Sequence, residues 1–293
     1  MVDYCKQQFL SDIKDFVITL PEKISHEGKW DIRGFIDIFK KVYTISDDTK
    51  IISKILELNL FSYFCIFAKE HGYNLELTKE QNYYPDMTFS LITNPNIRFA
   101  VDLKSTYFNE KNNYRCNGFT LGSHGKYFID RNSKKNIMYP YNSYIAHIIV
   151  GIIYSKADLP DNNEKMFYDV AEIENIPAVA NNFIFFAEEK WKIASDKGGS
   201  GNTANIGSIK NIADILNGNG VFAKCGEQIF DEYWINFGKM KIPWRKNQGL
   251  SYLEDFLAYR GLPLSLYNET KSKYISEFSK KLIYEYFRKE ENN

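Results

Sequence analysis

Residues 83–105 read YYPDMTFSLITNPNIRFAVDLKS. Apolar and polar residues alternate in both halves of this stretch, over 86–92 and 97–104, and that alternation predicts two short β-strands. The sequence TNPN at 93–96, between the two halves, is rich in residues that favour turns. An antiparallel hairpin is therefore predicted here, and it carries ionisable residues at positions where apolar ones would pack more easily.

The ionisable residues of this hairpin are predicted to meet at one of its ends. Because side chains alternate along a strand, Asp102 and Lys104 share one face of the second strand. Pairing about the turn brings Asp86 opposite Leu103, between Asp102 and Lys104, and a shift of one residue puts it level with either. Three charged groups therefore converge within a small part of the predicted sheet.

Such a group of side chains has two chemical interpretations. Two carboxylates held close together resist simultaneous ionisation unless a cation lies between them. Mg²⁺ prefers oxygen ligands of this kind and keeps water molecules for a substrate phosphate, while a neighbouring lysine can orient or deprotonate a water or stabilise charge on phosphorus. A surface ion pair across the hairpin fits the spacing equally well, so both interpretations stay open at this point.

The composition excludes few classes of protein. The chain has 293 residues, 44% hydrophobic and 25% charged, with a formal net charge of +0, so no overall basic charge indicates nucleic acid, although a local basic cleft remains compatible with these numbers. The four cysteines have no zinc-binding spacing. The longest apolar run, residues 145–154, is shorter than the about 20 residues that span a bilayer. We expect a soluble cytosolic protein with reduced thiols and no membrane partner.

The rest of the chain predicts helices on either side of a group of strands. A long helix is expected over 47–70, capped by Asp47 or Ser46. Residues 142–155 fit a helix or a buried strand, because periodicity does not separate the two. Strands are expected at 182–188 and 190–194. Further helices are expected near 208–217, 226–238, 250–260 and 272–290. This order predicts an α/β fold of the α+β type, with a mixed central sheet flanked by helices.

The glycine-rich segment GGSGNT, residues 198–203, permits two interpretations. It lacks the Gly-Lys-Ser/Thr ending of a phosphate-binding P-loop. A flexible surface loop is the ordinary explanation of such a composition. The functional alternative is a loop without bulk, which lets backbone groups approach base edges and allows Asn202 to pair with an adenine edge in the major groove.

Pro85-Asp86, followed after 15 residues by Asp102-Leu103-Lys104, resembles the PD-(D/E)XK signature of metal-dependent nucleases. Further blocks of sequence come in the order found in the EcoRV-like type II restriction endonucleases, from about residue 25 to about residue 260. The blocks that carry this resemblance are ILELNLFS (55–62), AKEHGY (68–73), KEQNYYPDMT (79–88), AVDLKSTY (100–107), FTLGS (119–123), YPYNSYIAH (139–147), KWKIASDKGGSGNTANIGSI (190–209) and NGNGVF (217–222).

The resemblance implies a restriction-endonuclease-like core, a reaction and a catalytic site. Family members are homodimers that cut both strands of a short palindrome in double-stranded DNA and use Mg²⁺. In this sequence Asp86 and Asp102 match the metal-binding carboxylates and Lys104 matches the catalytic lysine. Glu57 matches a further acidic residue at the active site, counted here with the catalytic and metal-binding residues, although its helical position alone fits a solvent-exposed side chain equally well.

The resemblance also implies how DNA is read. The glycine-rich segment matches the recognition loop of these enzymes, so Gly199, Gly201, Asn202 and Thr203 are expected to read bases and Asn205 to hold the loop. Because the Gly-Ser-Gly-Asn-Thr core of this loop is unchanged, the expected target is GATATC, cut bluntly at its centre. Glu80 replaces a glutamine beside a minor-groove loop, and Ser105 replaces a threonine. The residues expected to bind DNA are Gly199, Ser200, Gly201, Asn202, Thr203, Asn205, Gln81, Asn82 and Thr106.

One endonuclease domain over 1–293 is expected. It would comprise a catalytic core at about 45–155, a DNA-recognition part at about 180–260 and a C-terminal helical extension at about 262–293. The class implies a prokaryotic cytoplasm and a cognate DNA methyltransferase in the same cell, not in a stable complex. Two rival functions stay open: a repair or junction nuclease of the same fold, and a non-catalytic sequence-specific DNA-binding protein with little dependence on Mg²⁺.

Overall fold

A computed structural model of the chain describes residues 2–78, 80, 83–108, 110–112, 114–159, 167–199, 204–267 and 283. These residues form two compact units. The first unit contains residues up to Asn117 together with Ser143–Ala187, and the second contains Gly118–Asn142 together with the chain from Glu188 onward.

A mixed seven-stranded sheet is the centre of the first unit and confirms the predicted fold class. Its middle strands β7 and β9 run parallel, whereas β5, β6 and β7 pair antiparallel. In spatial order, its strands are β1 (Ser25–His26), β2 (Lys29–Trp30), β11 (Ala180–Glu189), β9 (Tyr144–Lys156), β7 (Asn94–Phe108), β6 (Met87–Leu91) and β5 (Tyr73–Leu77). Residues 142–155, compatible with either helix or strand in the sequence, therefore form a buried strand.

The hairpin of β6 and β7 forms as predicted, but its turn and register differ from the prediction. Leu91 pairs with Asn94, so the turn is Ile92-Thr93 and not TNPN at 93–96. The register then shifts between Ser90 and Leu91, because β7 contains more residues than β6 over this stretch. Beyond the shift, Ser90 pairs with Arg98 and Met87 with Val101. This register differs by one residue from the predicted one and carries Asp86 to the level of Asp102.

Two helices pack against one face of this sheet. The predicted long helix is α3 (Thr49–Glu70), and its N-cap is Asp48, one residue beyond the predicted caps, because the Asp48 side chain accepts from the backbone N–H groups of Lys50 and Ile51. By length and composition α3 is the one described helix that would suffice to cross a membrane, yet one face of it packs in the core. From α1 (Val2–Val17), Phe9 stacks on Phe99 of β7 with ring centroids 4.0 Å apart.

The second unit contains one correction to the predicted strands. Of the strand predicted at 190–194, only Ala194 is extended: residues 190–193 form a helical turn, α4 (Lys190–Ile193), because β11 already ends at Glu189 and the chain turns there into β12 (Ala194–Gly198). The strand was predicted because the apolar residues Trp191 and Ile193 alternate with polar ones, as they would in a strand. The helices expected near 208–217, 226–238 and 250–260 are confirmed as α5 (Ile212–Leu216), α6 (Glu227–Asn236) and α7 (Leu253–Tyr259), whereas 272–290 lies outside the described residues except for residue 283.

Smaller elements complete the two units. A sheet of β10 (Phe167–Asp169), β4 (Lys41–Thr44) and β3 (Gly34–Ile36) and the helix α2 (Leu20–Ile24) belong to the first. The sheet of β12, β13 (Asn205–Ser208) and β8 (Thr120–Ser123) and the pair β14 (Lys241–Ile242) and β15 (Gln248–Gly249) belong to the second. Short 3-10 helices cover Glu110–Asn112, Lys126–Phe128, Tyr141–Ser143, Val170–Asn175, Pro243–Arg245 and Leu264–Leu266.

Candidate active site

The three ionisable side chains of the β6–β7 hairpin meet in the structure. Lys104 Nζ lies 2.9 Å from Asp102 Oδ2 and 3.2 Å from Asp86 Oδ2. Asp102 is only 5% exposed, whereas the side chains of Asp86 and Lys104 are 35% and 25% exposed. The lysine ammonium is therefore the cation between the two carboxylates, and one side of the group is open to solvent.

Backbone groups fix Asp86 against the second strand. The Leu103 N–H donates to Asp86 Oδ2 at 2.8 Å, and the Asp86 N–H donates to Asp102 Oδ1 at 3.2 Å. Asp86 itself lies just before β6, so these two bonds replace the strand ladder at that point. The carboxylates are held by the main chain as well as by the lysine, which gives the group a defined geometry without a ligand.

Burial and neighbouring charges both shift the pKa values of Asp86 and Lys104. Burial and then repulsion from Asp102 raise the pKa of Asp86 to about 6, although Lys104 and the Leu103 N–H oppose the shift. Burial alone would lower the pKa of Lys104, but the charges of Asp102 and Asp86 outweigh it and raise that pKa above its usual value. Lys104 is therefore a firmly protonated cation here, and Asp86 would gain from additional positive charge.

The sequence alone does not predict how the neighbouring strand β9 supports the catalytic group. Lys104 pairs across the sheet with Gly151 of β9, and a Cβ on Gly151 would overlap the ring of Phe186. Just before Pro85-Asp86, the Tyr84 hydroxyl lies 2.8 Å from His147 Nδ1, and both side chains are buried. Only tertiary packing brings these residues together, and the sole sequence signal was a glycine inside an otherwise β-branched strand.

Glu57 lies beside this group without joining it. Its side chain is exposed and pairs with Lys54 at 2.8 Å on the surface of α3. With Asp86, Leu103 and Leu58 it lines a mainly apolar pocket of about 130 Å³. Among the residues that the structure describes, no group of three or more His, Cys, Asp or Glu side chains is arranged to hold a metal ion. Glu57 is therefore separate from the two hairpin carboxylates in this conformation.

The oxygen donors of the hairpin nevertheless suit a hard cation. Mg²⁺ is commonly held by only one or two carboxylates and completes its shell with water and substrate phosphate. Asp86 and Asp102 supply that number, and they already share a cation in Lys104 Nζ. The donor set thus fits a magnesium ion, with Asp86 and Asp102 as the residues that would hold it.

The residues predicted to contact DNA are only partly described. Gly199 and Asn205 close the β12–β13 loop, since the Gly199 N–H donates to the Asn205 carbonyl at 2.7 Å. Thr106 is buried on the same face of β7 as Lys104, and Glu80 is exposed. The other predicted DNA-contacting residues lie outside the described part of the chain: Gln81, Asn82, Ser200, Gly201, Asn202 and Thr203.

Comparison with known proteins assigns the family. The family model described as Restriction endonuclease EcoRV matches residues 26–261. The Type II restriction enzyme EcoRV of Escherichia coli is 39% identical over 210 residues, which are 71% of this chain and 83% of that enzyme. The solved NlaIV restriction endonuclease aligns with 98% of this chain and 89% of its own, at 15% identity and with a TM-score of 0.35. The chain belongs to the EcoRV family of type II restriction endonucleases.

Proposed function

We propose that this restriction endonuclease hydrolyses both strands of duplex DNA in a Mg²⁺-dependent reaction at the β6–β7 hairpin, called the catalytic hairpin from here on. The observation that carries this proposal is the close group of Asp86, Asp102 and Lys104, held open to solvent on one side. Asp86 and Asp102 would hold the metal, with Glu57 as a further acidic residue beside the same pocket.

The chemistry divides between the metal and the residues of the chain. A bound Mg²⁺ would supply Lewis acidity at the scissile phosphate and an acidified water. Lys104, protonated between two carboxylates, offsets the charge that develops on phosphorus and positions the attacking water. Since the carboxylates are what raise the pKa of Lys104, their neutralisation would let Lys104 release a proton more readily and act on that water as a base.

We further propose that the β12–β13 hairpin, called the recognition hairpin from here on, selects the sequence GATATC for blunt cleavage at its centre. Gly199, Gly201, Asn202 and Thr203 are assigned to read the bases, with Ser200 in the same loop. Asn205 holds the loop through its bond with Gly199. A central TA step unstacks easily, so DNA bending would add to the selectivity. Gln81, Asn82 and Thr106 are assigned to contacts outside the recognition loop.

We propose that the active form is a homodimer, because two chains with one active site each can cut the two DNA strands. The small sheet of β3, β4 and β10 offers a surface for a second copy, because its large apolar side chains are unusually exposed. These exposed side chains are Phe35, Ile36, Ile38, Phe39, Tyr43 and Phe167. An apolar patch of this kind marks an association surface in soluble proteins. The setting is the cytoplasm of a prokaryote that protects its own sites with a cognate methyltransferase.

Fragment-end sequencing tests this proposal directly. The purified chain is incubated with a long, sequenced, unmethylated DNA, with and without Mg²⁺, and the fragment ends are sequenced. Blunt ends at GATATC that require Mg²⁺ are expected. Discrete ends at another palindrome would keep the chemistry and overturn the assigned target. Binding to duplex DNA without any cleavage would replace the proposal with that of a non-catalytic DNA-binding protein.

A further inference from the structure

Three carboxylates lie buried at the base of the recognition hairpin. Asp196 comes from β12, three residues before Gly199, and Glu254 and Asp255 come from the first turn of α7. All three side chains are almost wholly inaccessible to solvent. Buried acids at this density need cations, hydrogen bonds or protons.

Two of the three carboxylates have clear partners. Asp255 accepts from Trp244 Nε1 at 2.8 Å and from Arg245 Nε at 2.6 Å. Asp196 Oδ2 lies 3.3 Å from Lys197 Nζ. Each of these acids therefore faces one cation, which offsets its charge.

The same contacts fasten the stem of the recognition hairpin to the segment before α7. Lys197 Nζ donates to the Ser251 carbonyl at 2.9 Å and lies 3.6 Å from the centre of the Tyr252 ring. The Tyr233 hydroxyl of α6 donates to the Asp196 carbonyl at 2.7 Å. The stem that leads into the recognition loop is thus held by contacts with its two neighbours, α6 and 251–255.

Glu254 is the surplus acid of this group. Its side chain is fully buried, and neither of its oxygens has a hydrogen-bond partner on another described residue. Burial raises the pKa of Glu254 to about 7, and repulsion from Asp196 and Asp255 adds to this shift, whereas a hydrogen bond from its own backbone N–H and, to a smaller extent, the charge of Lys197 oppose it. Tyr233, whose own pKa is raised by burial and by these acids, is the remaining titratable group that faces it from α6.

We propose that Glu254 is a positioning residue of the recognition hairpin, which holds the stem in place as an uncharged carboxylic acid and loosens it on ionisation. This inference rests on the proposed role of that hairpin in reading DNA. With Glu254 neutral, Asp196 and Asp255 balance Lys197 and Arg245. An ionised Glu254 adds a third negative charge to the two cations, and it competes with Asp196 and the Ser251 carbonyl for Lys197.

The direction of the pH effect follows from where the proton is held. Because the folded protein binds this proton more tightly than the unfolded chain, ionisation favours open forms of the stem. Protection of the stem is greatest at low pH and falls as pH rises toward and through about 7. Glu254→Gln keeps the shape and removes the ionisation, so its stem stays closed at every pH.

Hydrogen exchange without DNA tests the inference independently of any cleavage. Amide protection of 194–198 and 205–208, corrected for intrinsic exchange, is measured from pH 5.5 to 8.5 in the unaltered protein, in Glu254→Gln and in the surface control Glu22→Gln. We expect protection to fall about tenfold or more in the unaltered protein and in the control, and to stay constant in Glu254→Gln. Equal pH profiles in all three proteins would overturn the proposal.

A cleavage assay then separates this inference from the proposed function. The ratio of kcat/KM for GATATC to that for a site changed at one base pair should fall with pH in the unaltered protein and hold in Glu254→Gln. Should the protein cut no DNA at all, the proposed function fails, while the exchange profiles still decide whether Glu254 positions the stem. A ratio that falls alike in both proteins would contradict the positioning role.

Discussion

The catalytic hairpin lies inside a seven-stranded sheet with a neighbouring strand on each side, whereas the recognition hairpin belongs to a sheet of three strands. In the first, the main chain holds Asp86, and the adjoining strand β9 is buried on both faces. In the second, the stem is held by side chains such as Tyr233 and Lys197. The proposed functions agree with this difference, because chemistry requires fixed distances, whereas base reading requires a loop that adapts to DNA.

The largest effect is expected at the catalytic hairpin. Asp102→Asn keeps the shape of the side chain but removes a charge that holds Lys104 and would bind the metal. Cleavage should fall by about 10³-fold, measured under single-turnover conditions. Asp3→Asn, on the exposed start of α1, should cleave normally. Comparable cleavage by the two variants would remove Asp102 from the active site.

The rigid support beneath the catalytic hairpin is tested by Phe9→Ala. The Phe9 ring is fully buried and stacks on Phe99, so its loss should lower the free energy of unfolding by about 3–5 kcal/mol. Chemical denaturation measures this value, with the exposed Tyr4→Ala as the control, expected to change it by less than about 0.5 kcal/mol. A small effect of Phe9→Ala would show that α1 is dispensable for the core and does not support the catalytic hairpin.

The recognition hairpin should respond to substitution in specificity and not in chemistry. Asn202→Ala removes the proposed contact with an adenine edge, which is worth about 1–3 kcal/mol of discrimination. The measurement compares kcat/KM on GATATC and on sites changed at each position. Discrimination should drop at one base pair only. A uniform loss at every site would assign Asn202 to DNA backbone contacts instead.

The smallest effect is a pH dependence of stability. Because folding raises the pKa of Glu254 to about 7, the free energy of unfolding should fall between about pH 4.5 and 7, by about 1–2 kcal/mol more than in Glu254→Gln. Urea denaturation across this range gives the difference. A constant gap between the two proteins would show that Glu254 does not titrate in this window.

The sequence was most informative where local pattern and tertiary structure agree. Alternation along β6 and β7 assigned the correct faces and brought Asp86, Asp102 and Lys104 together. The predicted turn was misplaced because Ile92-Thr93 closes the hairpin, whereas Pro95 and Asn96, which favour turns, lie in β7 where the register of the ladder shifts. Residues 190–194 imitate a strand because their apolar positions alternate over less than two helical turns.

Other features of the candidate sites cannot be predicted from the sequence around them. Glu254 lies in a helix with acids in its first turn, a pattern that predicts a solvated N-terminus and gives no indication of burial. Its role depends on Asp196, which is 58 residues earlier in the chain. The overlap of Gly151 with the Phe186 ring depends equally on strands that meet only in the folded sheet.

We propose that the catalytic hairpin cuts DNA and the recognition hairpin selects it. Lys104→Ala tests this most directly, with affinity for a GATATC duplex and single-turnover cleavage measured on the same preparation, beside the exposed Lys239→Ala as control. We predict that Lys104→Ala binds the site as selectively as the unaltered protein and does not cut it. If Lys104→Ala cut DNA at the unaltered rate, Lys104 would have no part in cleavage and the assignment of the catalytic hairpin would be wrong.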